Sequence, residues 1–234
     1  MRHEPKAVFE RGDCWCKYSG PFTSNGAEAG AFIQTQSGLP EPDIQYHFFP
    51  NLIPTVYNSL DIKKHGYTLV PAVVTPQSRG RLTLRSTDPK QYPAIHANYL
   101  ADEADLRVLV EGVKLARRLG QTRAFAPFYQ EEMLPGPRVQ SDQGIIAYIR
   151  NGVQSLYHPV GTCKMGHDDQ AVVDEQLRVR GVEGLRVVDA SIMPTVVNGN
   201  TNAPTIMIAE KIAALLRGHA IGEEATAQTA HQGE

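Results

Sequence analysis

At 234 residues, 41% hydrophobic and 21% charged, the chain has room for one large domain or two modest ones and the make-up of a folded globular protein. A formal net charge of −2 argues against a nucleic-acid binder, which would carry a basic stripe, and no run approaches the ~20 apolar residues that span a bilayer. The N-terminus lacks the apolar core of a signal peptide. The three cysteines, Cys14, Cys16 and Cys163, form no regular framework, which points to reduced thiols and a cytoplasmic setting, with peripheral membrane association left open. No second Cys or His pair stands at zinc-like spacing from Cys14 and Cys16, so no metal is assigned.

In chain order, residues 1–29 form a connecting segment rich in Gly, Ser, Asn and Pro, with Gly20-Pro21 and Asn25-Gly26 as turn signals. Asp43–Phe49 alternates and is aromatic, as a strand would be. Tyr67–Val74 and Arg81–Arg85 read as two further strands, with a hairpin-like reversal at Gln77–Gly80 between them. Pro71 assigns the first of these to a sheet edge or a bulge. Residues 102–119 are the clearest helix: Leu106, Leu109, Val110, Val113 and Ala116 recur at helical spacing, acidic residues open it and basic ones close it before Gly120. A shorter helix covers 142–150. Residues 183–189 read as a buried strand. A last helix runs from about Ala203 to Leu216 with Asn202 as N-cap. Residues 218–234 read as a disordered tail.

This pattern gives an α+β fold. An antiparallel-sheet domain occupies 30–150, and a strand–helix part of an α/β layer lies within 151–217. A lone strand–helix unit cannot bury both its faces, so the second part is expected to need a partner layer, leaving Leu185, Val187 and the final helix with apolar surface.

Chemistry concentrates in Tyr157-His158-Pro159-Val160-Gly161-Thr162-Cys163-Lys164-Met165-Gly166, in Val187-Val188-Asp189-Ala190-Ser191-Ile192-Met193-Pro194, and in Asn198-Gly199-Asn200-Thr201-Asn202-Ala203-Pro204-Thr205. One histidine stands between stiff turns, and an amide-rich loop opens into a helix. Histidine takes a proton near neutral pH, and asparagine bonds an oxygen without adding charge, so the two together suit proton removal from a hydroxyl. Asp189 at a strand end would also serve as an ordinary turn cap, and the asparagines as turn and cap residues. No nucleophile elbow Gly-x-Ser-x-Gly occurs, which removes one class of hydrolase.

In order and spacing these three blocks resemble the C-terminal signature of the glucose–methanol–choline (GMC) flavoenzymes, choline-dehydrogenase-like branch, and the resemblance covers nearly all of residues 15–217. It implies FAD as cofactor and a small-molecule alcohol as substrate, with hydride passing from the carbinol carbon to flavin N5 and oxygen or a quinone as electron acceptor. It implies His158 as the base and, ten positions before Glu210, Asn200 as the residue that holds the substrate oxygen; Asn202 and Asn198 are the rival positions, because Thr201 stands where many members have Pro. It implies flavin contacts at Asp189 and Ala190, and at Thr201 and Asn202 where the last helix begins. His47 becomes scaffold or pocket wall, and Tyr46, Phe48 and Phe49 either pocket lining or core. Residues 30–150 become the substrate-binding (cap) domain and 151–217 the C-terminal part of the FAD-binding domain with its catalytic loop.

No Gly-x-Gly-x-x-Gly run follows a strand. The expectation is therefore an incomplete GMC fold, a C-terminal fragment whose missing N-terminal FAD-binding portion is its partner, and which binds FAD weakly by itself. The alternative from another class is a non-catalytic truncated remnant or interaction module.

Overall fold

The computed structural model describes residues 24–53 and 65–218. The Gly20-Pro21 turn, Cys14, Cys16 and nearly all of the expected tail lie outside them.

Strands β1 (Ala29–Ile33), β2 (Ile44–Phe49) and β3 (Thr68–Val73) form an antiparallel sheet in the order β1-β2-β3. Ile44 stands opposite Ile33 on one side and Val73 on the other. Pro71 sits in β3, an edge strand, where its missing N–H disturbs no second ladder. Helix α1 (Glu103–Gly120) crosses this sheet, and α2 (Asp142–Gly152) packs against α1. Asp102 caps α1 by accepting the Ala104 amide at 2.8 Å, and Ser141 caps α2 by accepting that of Gly144 at 3.2 Å.

The apolar stripe of α1, Leu106, Leu109, Val110 and Val113, closes with Ile145 and Ile149 into the first core. The buried face of β2 meets α1 at Gly112. There the Tyr46 hydroxyl donates to the Gly112 carbonyl at 2.6 Å, and Ile44, 0% exposed, packs where a side chain on residue 112 would go. Phe48 continues that face against Tyr67 and Phe125, with ring centroids 5.9 and 5.8 Å away.

The reversal at 77–80 does not join paired strands. β4 (Arg81–Thr83) pairs instead with β5 (Ala94–His96) in a separate two-stranded sheet. The reason is a carboxylate further along the chain. Asp105, 4% exposed, accepts the amides of Gln77 and Ser78 at 2.7 and 2.9 Å, and the Ser78 hydroxyl accepts the Asp102 amide at 3.0 Å. The connection is thereby drawn over the start of α1 and away from β3.

A second core gathers Val173, Leu177, Ile192 and Met193 with Ile208 and Ile212 of α3 (Asn202–Leu216). The expected strand at 183–189 is not formed. Gly181 and Gly184 take φ of +77° and +72°, which makes turns. The amides of Val179 and Val187 bond locally, to the carbonyls of Leu185 and Leu177 at 2.9 and 3.1 Å. Only an isolated bridge, Arg178 to Arg186, touches the segment among the described residues. Leu185 is 50% exposed, and Ile206, Met207 and Leu216 of α3 are exposed as well.

Asn202 is not the cap of α3 but its first helical residue. Thr201, 8% exposed, holds the N-cap position, and its carbonyl accepts the Thr205 amide at 3.1 Å and the Thr205 hydroxyl at 2.6 Å. Among the described residues no side chain caps this helix.

Gly112→Ala tests the packing of β2 on α1. The new Cβ would stand 2.3 Å from Ile44 Cδ1 and 3.0 Å from Pro71 Cβ. Overpacking of this kind costs about 1–3 kcal/mol against a helix-propensity gain of up to about 1 kcal/mol. A net loss of about 1–2 kcal/mol is expected in a urea unfolding curve; an unchanged or raised midpoint would show that Ile44 is free to move.

Candidate active site

Side chains alternate along β2. Ile44, Tyr46 and Phe48 face α1 and its surroundings. Gln45 and His47 therefore point to the other side of the sheet, and Phe49 shares their parity. Gln45 is 9% exposed, and His47 is half-buried, with no hydrogen-bond partner for its Nδ1 among the described residues.

His158 arrives at this face on a stiff loop. Tyr157 holds φ +64°, its amide bonded to the Ser155 hydroxyl at 2.9 Å, and Pro159 fixes the residue that follows the histidine. Gly161, at φ +87°, lies against the Met193 carbonyl, where a Cβ would approach it to 3.3 Å. Downstream, the amides of Cys163 and Met165 bond the carbonyls of Ser191 and Ile192 at 3.0 and 2.8 Å. The histidine loop is thus fastened to the wall of the second core.

Asn200 comes from the loop that precedes α3. The loop is held from the first core's side at two points. Asn198 Nδ2 donates to Glu41 Oε2 at 2.5 Å, and Gln45 Nε2 donates to Asn200 Oδ1 at 3.0 Å. Asn200 Nδ2 then stands 3.4 Å from His158 Nε2, across 42 residues of sequence. Of the three asparagines, Asn200 meets the histidine; Asn198 is engaged by Glu41, and Asn202 is exposed on the first turn of α3.

An amide nitrogen only donates, so as a hydrogen bond this contact pairs Asn200 Nδ2 with a lone pair on His158 Nε2. His47 lies in the same electrostatic neighbourhood. Burial, and then the nearby His158, lower its pKa below the ordinary histidine value. The site is therefore two imidazoles and two carboxamides, able to accept a proton at one atom and bond an oxygen at the next.

Asp189 and Ala190 are placed differently. Asp189 caps the 3₁₀ turn Ala190–Ile192, accepting the Ser191 amide at 2.8 Å and the Ser191 hydroxyl at 2.5 Å, while Ala190 packs at the edge of the second core. Thr201 is turned inward. Tyr46 and Phe48 belong to the core face rather than to the site. Gln45 is the functional-face residue that motif reading passes over; its signal is parity with His47 in a strand whose other positions are apolar.

A family model described as GMC oxidoreductase matches residues 76–209. An alcohol dehydrogenase [acceptor] of Pseudomonas putida is 44% identical over 200 residues, which cover 86% of this chain and 36% of that protein. An oxygen-dependent choline dehydrogenase of Paraburkholderia phymatum is 46% identical over 222 residues, covering 94% of this chain and 38% of that one. Among solved structures, pyridoxine 4-oxidase from Mesorbium loti superposes with a TM-score of 0.77 at 28% identity, over 83% of this chain and 38% of that chain. A formate oxidase from Aspergillus oryzae, studied for FAD modification, gives 0.66 at 28% identity over 78% and 32%. The chain spans little more than a third of the length of the curated relatives it matches.

The depressed pKa of His47 has a consequence for stability. The unfolded chain takes up its proton at a higher pH than the folded one does. The stability this group contributes is whole above the ordinary histidine value of 6.5 and is lost as pH falls through that value toward the folded one. His47→Gln should therefore lose less stability than the parent on acidification, as read from urea midpoints on either side of that value. Parallel losses in the two proteins would contradict it.

Proposed function

The chain belongs to the GMC oxidoreductase family, and from that premise we propose that it is the substrate-side portion of a FAD-dependent alcohol oxidoreductase with His158 as base and Asn200 as the holder of the substrate oxygen. The observation that carries this reading is the 3.4 Å approach of Asn200 Nδ2 to His158 Nε2. Two atoms at that separation can both bond one oxygen at about 3 Å. A substrate hydroxyl set between them donates its proton to Nε2 and accepts a hydrogen bond from Nδ2. As the proton moves to His158, the amide donor stabilises the charge that develops on the oxygen.

The residues present fit one side of a flavin. Among the described residues no side chain caps the α3 start or accepts from the amides of Asn202 and Ala203, and Pro204 has no N–H to leave unmet. That helix end favours an electron-rich group. Asp189, with the adjacent Ala190 backbone, is the polar step for the cofactor's chain, its carboxylate held in place by Ser191. When bound, FAD supplies the acceptor for the hydride that leaves the carbinol carbon. The chain's own residues bind the alcohol, orient its oxygen and hold its proton.

On this reading residues 30–150 are the substrate-binding part and 151–217 the C-terminal part of the flavin domain, joined to an N-terminal FAD-binding portion. His47 and Phe49 wall the pocket. The substrate class is a primary or secondary alcohol, with choline, aliphatic or aryl alcohols and sugars as candidates. Oxygen or a quinone takes the electrons.

In the flavin-loaded enzyme reconstituted with its N-terminal FAD-binding portion, His158→Ala should lower kcat by about 10²–10⁴-fold, the usual contribution of a positioned base. Undiminished turnover would exclude His158 from that role.

A further inference from the structure

Gln45 is a nearly buried amide, on the strand face that the site occupies, bonded to a residue 155 positions away. A carboxamide has two unlike ends, and fixing one end fixes the other. In the observed arrangement Gln45 donates from Nε2 to Asn200 Oδ1 at 3.0 Å, and Asn200 Nδ2 is the end that faces His158. If Asn200 turned over, its Oδ1 would face Nε2 and would require a proton there, which would remove the lone pair. We infer that Gln45 is a positioning residue, which acts through Asn200 to select the His158 tautomer that carries its lone pair on Nε2. Its importance for turnover rests on the reading of His158 as base; the tautomer selection does not.

The loop itself does not need Gln45 to stay in place. Glu41 holds Asn198 two residues earlier, and α3 with its buried Ile208 and Ile212 fixes the loop's other end. Loss of the Gln45 contact therefore frees the direction of one amide and leaves the backbone where it is. A neutral hydrogen bond of this kind biases such a choice by a factor of roughly two to ten.

Two substitutions separate this role from simple packing. Gln45→Glu keeps size and shape but places only acceptors at Asn200. The Asn200 amide should then turn so that Nδ2 faces the carboxylate and Oδ1 faces His158, inverting the tautomer. Gln45→Met keeps the volume and removes the donor, which should leave a mixture. The readout is two-bond proton–nitrogen NMR of the full chain carrying ¹⁵N-histidine, above neutral pH, with the His158 signals identified by their loss in His158→Gln. The parent should show a bare Nε2, Gln45→Glu a protonated Nε2, and Gln45→Met a shift in the tautomer ratio of roughly two- to tenfold.

In the flavin-loaded protein, Gln45→Glu should lower kcat with KM changed less. Inversion of the tautomer with turnover unchanged would sustain the positioning role and overturn the base assignment. An unmoved tautomer in Gln45→Glu would overturn the inference, as would an unmoved ratio in Gln45→Met should the glutamate variant not fold.

Discussion

The hydrogen bond from Gln45 to Asn200 joins two parts of the chain that have little else in common. Gln45 belongs to a strand whose other face is pinned to α1 through Ile44 and Tyr46. Asn200 belongs to a loop that leads into α3 and the second core. Each partner is placed by its own core, so their meeting depends on how one core lies against the other. His158 depends on this too, because its loop is fastened to the 191–193 segment by backbone hydrogen bonds. A polar cluster of four side chains thus sits where two separately packed bodies face each other, the usual location for a small-molecule site.

The cluster is electrically quiet. Two carboxamides add donors and acceptors without charge, and burial disfavours the charged form of His47. A charged neighbour acts on a histidine at long range, whereas an amide acts through the hydrogen bond it makes, here one that an unprotonated Nε2 accepts. On the proposed reading that distinction matters: a base must stay neutral to accept a proton and must present its lone pair at the right nitrogen. The Nδ1 of His47 adds a buried polar atom with no hydrogen-bond partner among the described residues.

Much of this was legible in the sequence, for identifiable reasons. Helix α1 announces itself by periodicity and by its charge gradient, both local signals. Strand β2 does so by alternation. The run 183–189 misleads because Leu185, Val187 and Val188 look the same whether or not a neighbouring strand offers a ladder; here the turns at Gly181 and Gly184 and local bonds to Leu177 and Leu185 decide instead. The link between β3 and β4 misleads for the opposite reason. Its turn residues are locally correct, but Asp105, 28 residues beyond Gln77, governs where the turn goes. At the site, His158 and Asn200 are visible through a family resemblance, whereas Gln45 lies in a stretch the same resemblance covers and is given no role by it. Its partner is 155 residues away, and nothing near it in sequence betrays the contact.

On the proposed reading His158 Nε2 and Asn200 Nδ2 together form the seat for an alcohol oxygen. The most direct measurement is a crystal structure of the flavin-loaded protein with a non-reactive alcohol analogue bound. The expected result is a hydroxyl or carbonyl oxygen within hydrogen-bond distance of both atoms, with Gln45 still bonded to Asn200. An analogue bound with its oxygen away from this pair, or a His158 ring turned from Asn200 in the complex, would contradict the claim.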